Sequence, residues 1–489
     1  MLQRPAFGAD VGWLAQPGVG VVVVTARDEC VVPGPLPARL ARLLNGCRTA
    51  DHLVALLPEF PASHVYYTLL QWEGAGWLRE GRPARPPRIM QRRHRAFLDE
   101  RRLVHPARGV TPWLVSLERR PDDPVHVAVA GPVLMPAPTV RGLERIVAQR
   151  NVGKAWSRRA ARRAALAEAV ERWSAVFRGR ERRRRSSRRA LGHAALDPRA
   201  FHLGHAGRGL APDAVLDWTR LYPLAEGEPR WLPSALIYFG HPEASRVGAA
   251  DSNGNAAGRT RTDAIVRALL EVIERDAVAI WWYNRLSRPP IDLAAAFATR
   301  GRRVWALDLT TDLGVPVVAA ISARMRGAPR ISLGFGAGTD TGIALHHALL
   351  EVVQTSRASD LPEAKHSRLW ATFPELAEWL TAAAPADHPY LLPGDEAPRA
   401  PVVPPPTGHS PRARLRWLLA RLRDAGLSAY QVNLTRGRTR VPVVKAIVPG
   451  LRPAWPRLAP GRLYDVPVRL GWLPRARDRG SLNPVPFVW

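Results

Sequence analysis

A seven-residue pattern of small, apolar and acidic residues occurs three times in this chain, and it constrains the fold more than any other feature. It reads Ala165-Leu166-Ala167-Glu168-Ala169-Val170-Glu171, then Ala268-Leu269-Leu270-Glu271-Val272-Ile273-Glu274, then Ala348-Leu349-Leu350-Glu351-Val352-Val353-Gln354. Each copy lies in a long helical stretch with no Pro or Gly inside it. On a helix, residues three and four apart share a face. Glu168 and Glu171 therefore point the same way, as do Glu271 and Glu274, and Glu351 and Gln354. The residues between them are apolar and must face a core. Carboxylates set among core-facing residues are expensive to bury unless something neutralises them. Arg172 and Arg275, which directly follow the first two copies, are candidates. Two readings stand side by side. One is Glu–Arg pairing on solvated helix faces. The other is a ring of oxygen ligands around a nucleotide and Mg2+, an ion that prefers a few carboxylates plus phosphates.

The chain around these helices reads as globular. Its 489 residues allow two to four domains, and 46% of them are hydrophobic. No window holds the roughly 20 continuous apolar residues of a membrane span. The N-terminus lacks the basic, apolar and small-residue succession of a secretion signal. Cys30 and Cys47 are too few for a disulfide framework, so a reducing cytoplasm is the expected compartment. A net charge of +29 raises the question of nucleic acid. However, aromatic residues are not interleaved with the basic ones, as a stacking platform for bases requires. The sharpest basic run, Arg180–Arg189, reads as a solvated loop or helix end.

The N-terminal stretch reads as a small unit of its own. Gly18–Thr25 is β-branched and predicts a strand. Leu36–Leu44 predicts an amphipathic helix that stops at Asn45-Gly46, and Thr49 caps a second one to about Leu57. Ala62–Trp72 predicts a third, and the chain then turns into a short strand near Leu78. A strand, three short helices and a β-wing make a winged helix. The third helix carries no Lys or Arg, so it is a poor reader of DNA and fits a peptide better. The organisation expected is residues 1–82 as this module, 83–97 as a Pro- and Arg-rich linker, and 98–489 as one large α+β domain. Pro393–Pro411 reads as an exposed loop within it.

Loops before the acidic helices suit close contact with a ligand. Asp251-Ser252-Asn253-Gly254-Asn255-Ala256-Ala257-Gly258 precedes the second copy, and Asn151-Val152-Gly153-Lys154 precedes the first. A Lys near a helix N-terminus can meet a phosphate. Gly153-Lys154 is not a Walker A loop, and Gly334–Gly338 does not complete a dinucleotide fingerprint. A nucleotide bound here needs a site of another kind.

Ser252-Asn253-Gly254, Ala257-Gly258 and Glu271-Val272-Ile273-Glu274-Arg275-Asp276 resemble the signature of the YcaO family. His105–Leu117 is similar to the family's opening strand pair, Gly153–Glu171 to its lysine loop and first acidic helix, and Gly334–Gln354 to its glutamine-bearing helix. Val448–Leu451, Arg462-Leu463-Tyr464 and Asn483–Phe487 resemble the C-terminal part of the azoline-forming branch. The resemblance implies an ATP- and Mg2+-dependent cyclodehydratase. Such an enzyme converts Cys, Ser or Thr of a ribosomal precursor peptide to thiazoline or oxazoline by phosphorylating the backbone amide oxygen. It implies Glu168, Glu171, Glu271, Glu274 and Asp263 for metal, and Lys154, Ser252, Asn253, Arg275, Glu351 and Gln354 around ATP, with Glu171, Glu274 and Arg275 in the chemistry. In this branch the C-terminus is expected to reach the active site and aid proton transfer.

The N-terminal module resembles winged-helix elements that hold a leader peptide as an added strand. Further partners compatible with the resemblance are a ThiF-like protein, a flavin-dependent azoline dehydrogenase and a second copy of the chain. The alternatives are a thioamide-forming member and a non-catalytic peptide-binding scaffold. Ala155 and Ala164 depart from the family's Gly and Ser, Asp263 from its Glu, and the tail lacks its last proline.

Overall fold

The computed structural model describes residues 2–25, 29–81, 97–106, 108–118, 125–133, 150–197, 201, 210–293, 301–360, 374–394, 397–404, 406 and 410–487. The expected linker falls almost wholly outside them. The chain forms two compact units, Met1–Trp173 and Ser174–Trp489.

In the first unit, β1 (Pro5–Phe7) precedes an antiparallel sheet of β2 (Gly12–Gln16), β3 (Gly20–Val24) and β4 (Glu29–Pro33). Then come α1 (Pro35–Leu43), α2 (Ala50–Ala55), α3 (Ala62–Gly74) and β5 (Leu78–Glu80), which pairs with β1. All three expected helices are present, and Thr49 caps α2 by accepting the His52 N–H at 3.2 Å. Of the strands, β3 and β5 stood out in advance. Strand β1 has only three residues, and β2 and β4 lack the unbroken β-branched run that marks β3. Side chains alternate across β3 as a strand dictates. Val21 and Val23 join Leu40, Leu53, Leu69 and Trp72 from the helices. Val22 packs the other way with Leu14 and Trp113. A second antiparallel sheet, β6 (Leu114–Ser116), β7 (His126–Ala130) and β8 (Asn151–Ala155), leads into α4 (Arg158–Ala175).

The second unit carries two antiparallel sheets, which makes it α+β as expected. One has the order β11 (Arg230–Pro233), β10 (Leu216–Pro223), β17 (Tyr430–Asn433), β18 (Val443–Ile447) and β12 (Asn255–Ala257), with β9 (Arg184–Ser186) also paired to β10. The other is a meander of β13 (Pro290–Ile291), β14 (Arg302–Asp308), β15 (Val317–Arg324) and β16 (Ser332–Ala337). Helix α5 (Arg261–Asn284) packs against strands of both sheets, and α6 (Thr341–Ser359) lies on β15 and β16. Helices α7 (Pro374–Ala382), α8 (Pro411–Asp424) and α9 (Arg462–Arg469) complete the unit. From Val272 to Trp282, α5 contributes a buried row to the large core.

The basic run meets expectation in part: most of its arginines are exposed, and Arg188 opens a short helix. It is no free loop, because Arg184–Ser186 pairs as an edge strand. Arg183 and Arg185 meet Asp217, at 2.8 and 3.3 Å, and Arg185 also meets Glu243 at 3.1 Å. Buried acids on the neighbouring strand and turn draw these arginines down. Asp217, His241 and Glu243 lie within 4.8 Å of one another, a grouping that suits a metal by residue type. The His241 Nδ1, however, accepts the Glu243 N–H at 3.2 Å. The neutral ring then carries its proton on Nε2, the atom a metal would need. With two arginines balancing two acids, this is a charge-balanced hub.

Candidate active site

The three acidic patterns belong to three strand–turn–helix units with one common register. Strands β8, β12 and β16 lead to the capping residues Ser157, Thr260 and Asp340. Each cap accepts the N–H three residues on, at 3.3, 3.1 and 2.9 Å respectively. The acid pair then occupies the same place along α4, α5 and α6. Its members are half-buried and the two residues between them are buried, in all three copies. Glycine lets strand and helix touch. A Cβ on Gly153 would sit 2.1 Å from the Ala161 O, and one on Gly336 would sit 2.2 Å from the Ala344 O, the equivalent atom.

Copies one and three are tied to their strands by the same two bonds. Glu168 accepts the Val152 N–H at 2.7 Å, and Glu351 accepts the Phe335 N–H at 3.4 Å. Arg172 donates to the Arg150 O at 2.9 Å, and Thr355 donates to the Leu333 O at 2.7 Å. Arg172 also pairs with Glu168 at 2.8 Å.

Copy two is different. Arg275, at the position of Arg172 and Thr355, has acids around it. Burial disfavours its charge, yet Glu271, Glu274, Glu351 and Asp251 outweigh that and hold its pKa above the ordinary guanidinium value. Its guanidinium lies 5.7 Å from the Trp455 ring centroid. Asp251 organises the adjoining loop. It accepts the Asn253 N–H at 3.1 Å and the Trp455 indole N–H at 3.2 Å. Around Arg275, Asn253 Oδ1, Asn255 Nδ2, Arg275 Nε and Gln354 Oε1 are buried with no hydrogen-bond partner among the described residues. A buried polar atom left unpaired costs about 1–3 kcal/mol. Four such atoms beside a group of carboxylates mark a place prepared for a polar ligand.

The structure thus brings Glu271, Glu274, Arg275 and Glu351 together in the second unit, with Ser252, Asn253 and Gln354 on the same loop and helices. Lys154, Glu168 and Glu171 belong to the first unit, Lys154 half-buried on β8. Asp263 sits in the first turn of α5. Its carboxylate accepts the Arg259 N–H at 2.9 Å and lies 3.4 Å from Arg267, so it serves the helix N-terminus. Asp251, Trp455 and Lys445 were not singled out from sequence. Lys445 had a signal, a lone cation inside the apolar run Val441–Val448.

The C-terminal segments converge on α5. Asp276, fully buried, accepts the Arg452 N–H at 2.8 Å and Arg462 at 2.9 and 2.7 Å. The Asn483 N–H donates to the Tyr283 O at 2.7 Å. The Phe487 ring lies 5.5 Å from those of Trp282 and Phe335.

The family model described as YcaO cyclodehydratase, ATP- and Mg2+-binding, matches residues 152–452. The chain belongs to the YcaO family. Relatives of this chain include an uncharacterised protein of Methanothermobacter thermautotrophicus, 31% identical over 322 residues, which are 61% of this chain and 80% of that one. Among solved structures, a heterocyclase in complex with substrate and cofactor superposes with a TM-score of 0.72 at 22% identity, covering 99% of this chain and 100% of the other. YcaO from Methanopyrus kandleri, bound with AMPPCP and Mg2+, gives 0.50 at 24% identity over 72% and 87% of the two chains. These two likenesses establish the fold. The enzyme class, an ATP- and Mg2+-dependent cyclodehydratase, follows from the family. The residues present fit those groups. The carboxylates of Glu271 and Glu274 suit Mg2+, and the unpaired amide and guanidinium atoms suit a nucleotide. No helix among the described residues is long and apolar enough to cross a membrane.

Proposed function

We propose that this chain closes Cys, Ser or Thr residues of a ribosomally made precursor peptide into thiazoline or oxazoline rings. The observation that carries the reading is the group around Arg275, with acids from α5, α6 and the Asp251 loop beside four unpaired buried polar atoms. In such a reaction the side chain attacks the preceding backbone carbonyl, and ring closure requires the amide oxygen to leave. ATP supplies the phosphoryl group that makes this oxygen a competent leaving group. Within the second unit, Glu271 and Glu274 would hold Mg2+. Ser252, Asn253, Arg275, Glu351 and Gln354 of the same unit would hold the nucleotide, with Glu274 and Arg275 nearest the transferred group. The acids around Arg275 favour its charged form before any ligand arrives.

The N-terminal module would hold the leader peptide as an added strand. Because β3 is paired on both sides, that strand would join β2 or β4. Tethering the leader raises the effective concentration of the modified segment. The test is to incubate enzyme, ATP, Mg2+ and candidate precursor peptides and weigh the products. Loss of one water per ring is expected, and Glu274→Gln should abolish it. Exchange of oxygen for sulfur would move the chain to the thioamide-forming members. Absence of magnesium-dependent ATP binding would leave a peptide scaffold.

A further inference from the structure

Lys445 stands in the middle of β18 among Val443, Val444, Ala446 and Ile447, with its side chain 5% exposed. A buried ammonium needs acceptors for its three protons. It finds them in one loop. The Nζ donates to the Asp251 O at 3.0 Å and the Asn253 O at 2.8 Å, and reaches Asn255 Oδ1 at 3.5 Å. The Asp251 carboxylate lies 3.7 Å away. Burial lowers the Lys445 pKa, and Asp251 and Glu271 act to restore it. The loop lies flat on the strand at the next residue. The Ala446 N–H donates to the Gly254 O at 2.8 Å, and Gly254 has φ +76°, with space for a Cβ closed off by the Ala446 O at 2.4 Å.

The common register gives these contacts their meaning. In copies one and three, the residue after the acid pair donates to the carbonyl 22 positions earlier, Arg172 to Arg150 just before β8, and Thr355 to Leu333 within β16. In copy two the equivalent pair is Arg275 and the carbonyl of Asn253. That carbonyl is taken by Lys445 instead. The Arg275 Nε is left without a hydrogen-bond partner. We propose that Lys445 is a positioning residue that substitutes for the missing helix-to-strand tether, fixing the Ser252-Asn253 loop and releasing Arg275 for the ligand. The inference rests on the nucleotide reading of this site. Lys445 itself acts through the loop and does not touch the ligand.

The variants are Lys445→Met, which fills the same space without donors, and Lys445→Gln, which keeps an N–H donor. The probe is a non-hydrolysable ATP analogue with Mg2+, titrated calorimetrically into the full chain alongside thermal melts. The expected result is analogue affinity reduced by about ten-fold or more in Lys445→Met and less in Lys445→Gln, with precursor-peptide affinity unchanged. In turnover, KM for ATP should rise more than kcat falls. A folded Lys445→Met that binds the analogue like the wild type would overturn the proposal. Loss of the fold in both variants would assign Lys445 to stability and overturn it equally. A wild-type chain that does not bind the analogue would instead sink the nucleotide reading itself.

Discussion

The first and second copies of the acidic pattern share cap position, acid spacing and burial, yet their arginines are used differently. Arg172 ends copy one in contact with its own neighbourhood, paired to Glu168 and bonded to the Arg150 carbonyl. Arg275 ends copy two among acids from three different segments, with its Nε unpaired. Copy three puts a neutral Thr355 at the same place and keeps the tether. Local sequence therefore sets where a side chain stands on its helix. What it does is set by the charges that the rest of the unit brings to it.

The sharpest way to break this contrast is at the shared position. Arg275→Met should reduce peptide-dependent ATP turnover by roughly 10²–10³-fold, the scale of removing one preorganised electrostatic contact. Comparable turnover in Arg275→Met and Arg172→Met would show that the two copies are alike after all. A second, smaller effect tests what the copies have in common. Gly336→Ala and Gly153→Ala each force a Cβ into helix backbone. Each should destabilise by about 1–3 kcal/mol. At roughly 2–4 °C per kcal/mol, melting should fall by several degrees in both variants. A drop in only one would mean that strand–helix contact is not shared.

Much of this register was legible in the sequence. The acid pairs, their apolar spacers and the long uninterrupted helices all follow from a 3.6-residue period, and Thr49 caps its helix by the usual chemistry. What could not be read was long-range. Lys445 lies 192 positions from the Asn253 carbonyl it holds, and Trp455 lies 204 from Asp251. No periodicity links such residues. Lys445 announced itself only as a charge in an apolar strand, which says that it must find partners but not which. The Arg180–Arg189 run, largely exposed as read, was legible only in part for a related reason. Its charge density read as solvation, while Asp217 and Glu243, some 30 to 60 residues on, make part of it an edge strand.

Thr355→Val sharpens the comparison from the third copy. The swap keeps size and branching and removes the hydroxyl that donates to the Leu333 O. It should cost about 1 kcal/mol, a few degrees in melting, with ATP-analogue affinity unchanged. Reduced affinity would place the tether of copy three inside the ligand site.

The smallest effect belongs to Arg172→Ala. Its ion pair with Glu168 is of the i, i+4 kind, and both side chains are about 30% exposed, so solvent and salt screen it. Such a pair contributes about 0.3–0.5 kcal/mol. The bond to the Arg150 carbonyl is partly replaceable by water at that exposure. Melting should therefore shift by only one or two degrees, and the shift should shrink further in high salt. A loss of several degrees that salt does not reduce would mean that Arg172 is held as Arg275 is, by charges beyond its own helix. The division between a tethered first copy and a released second one would then fail at its weakest point.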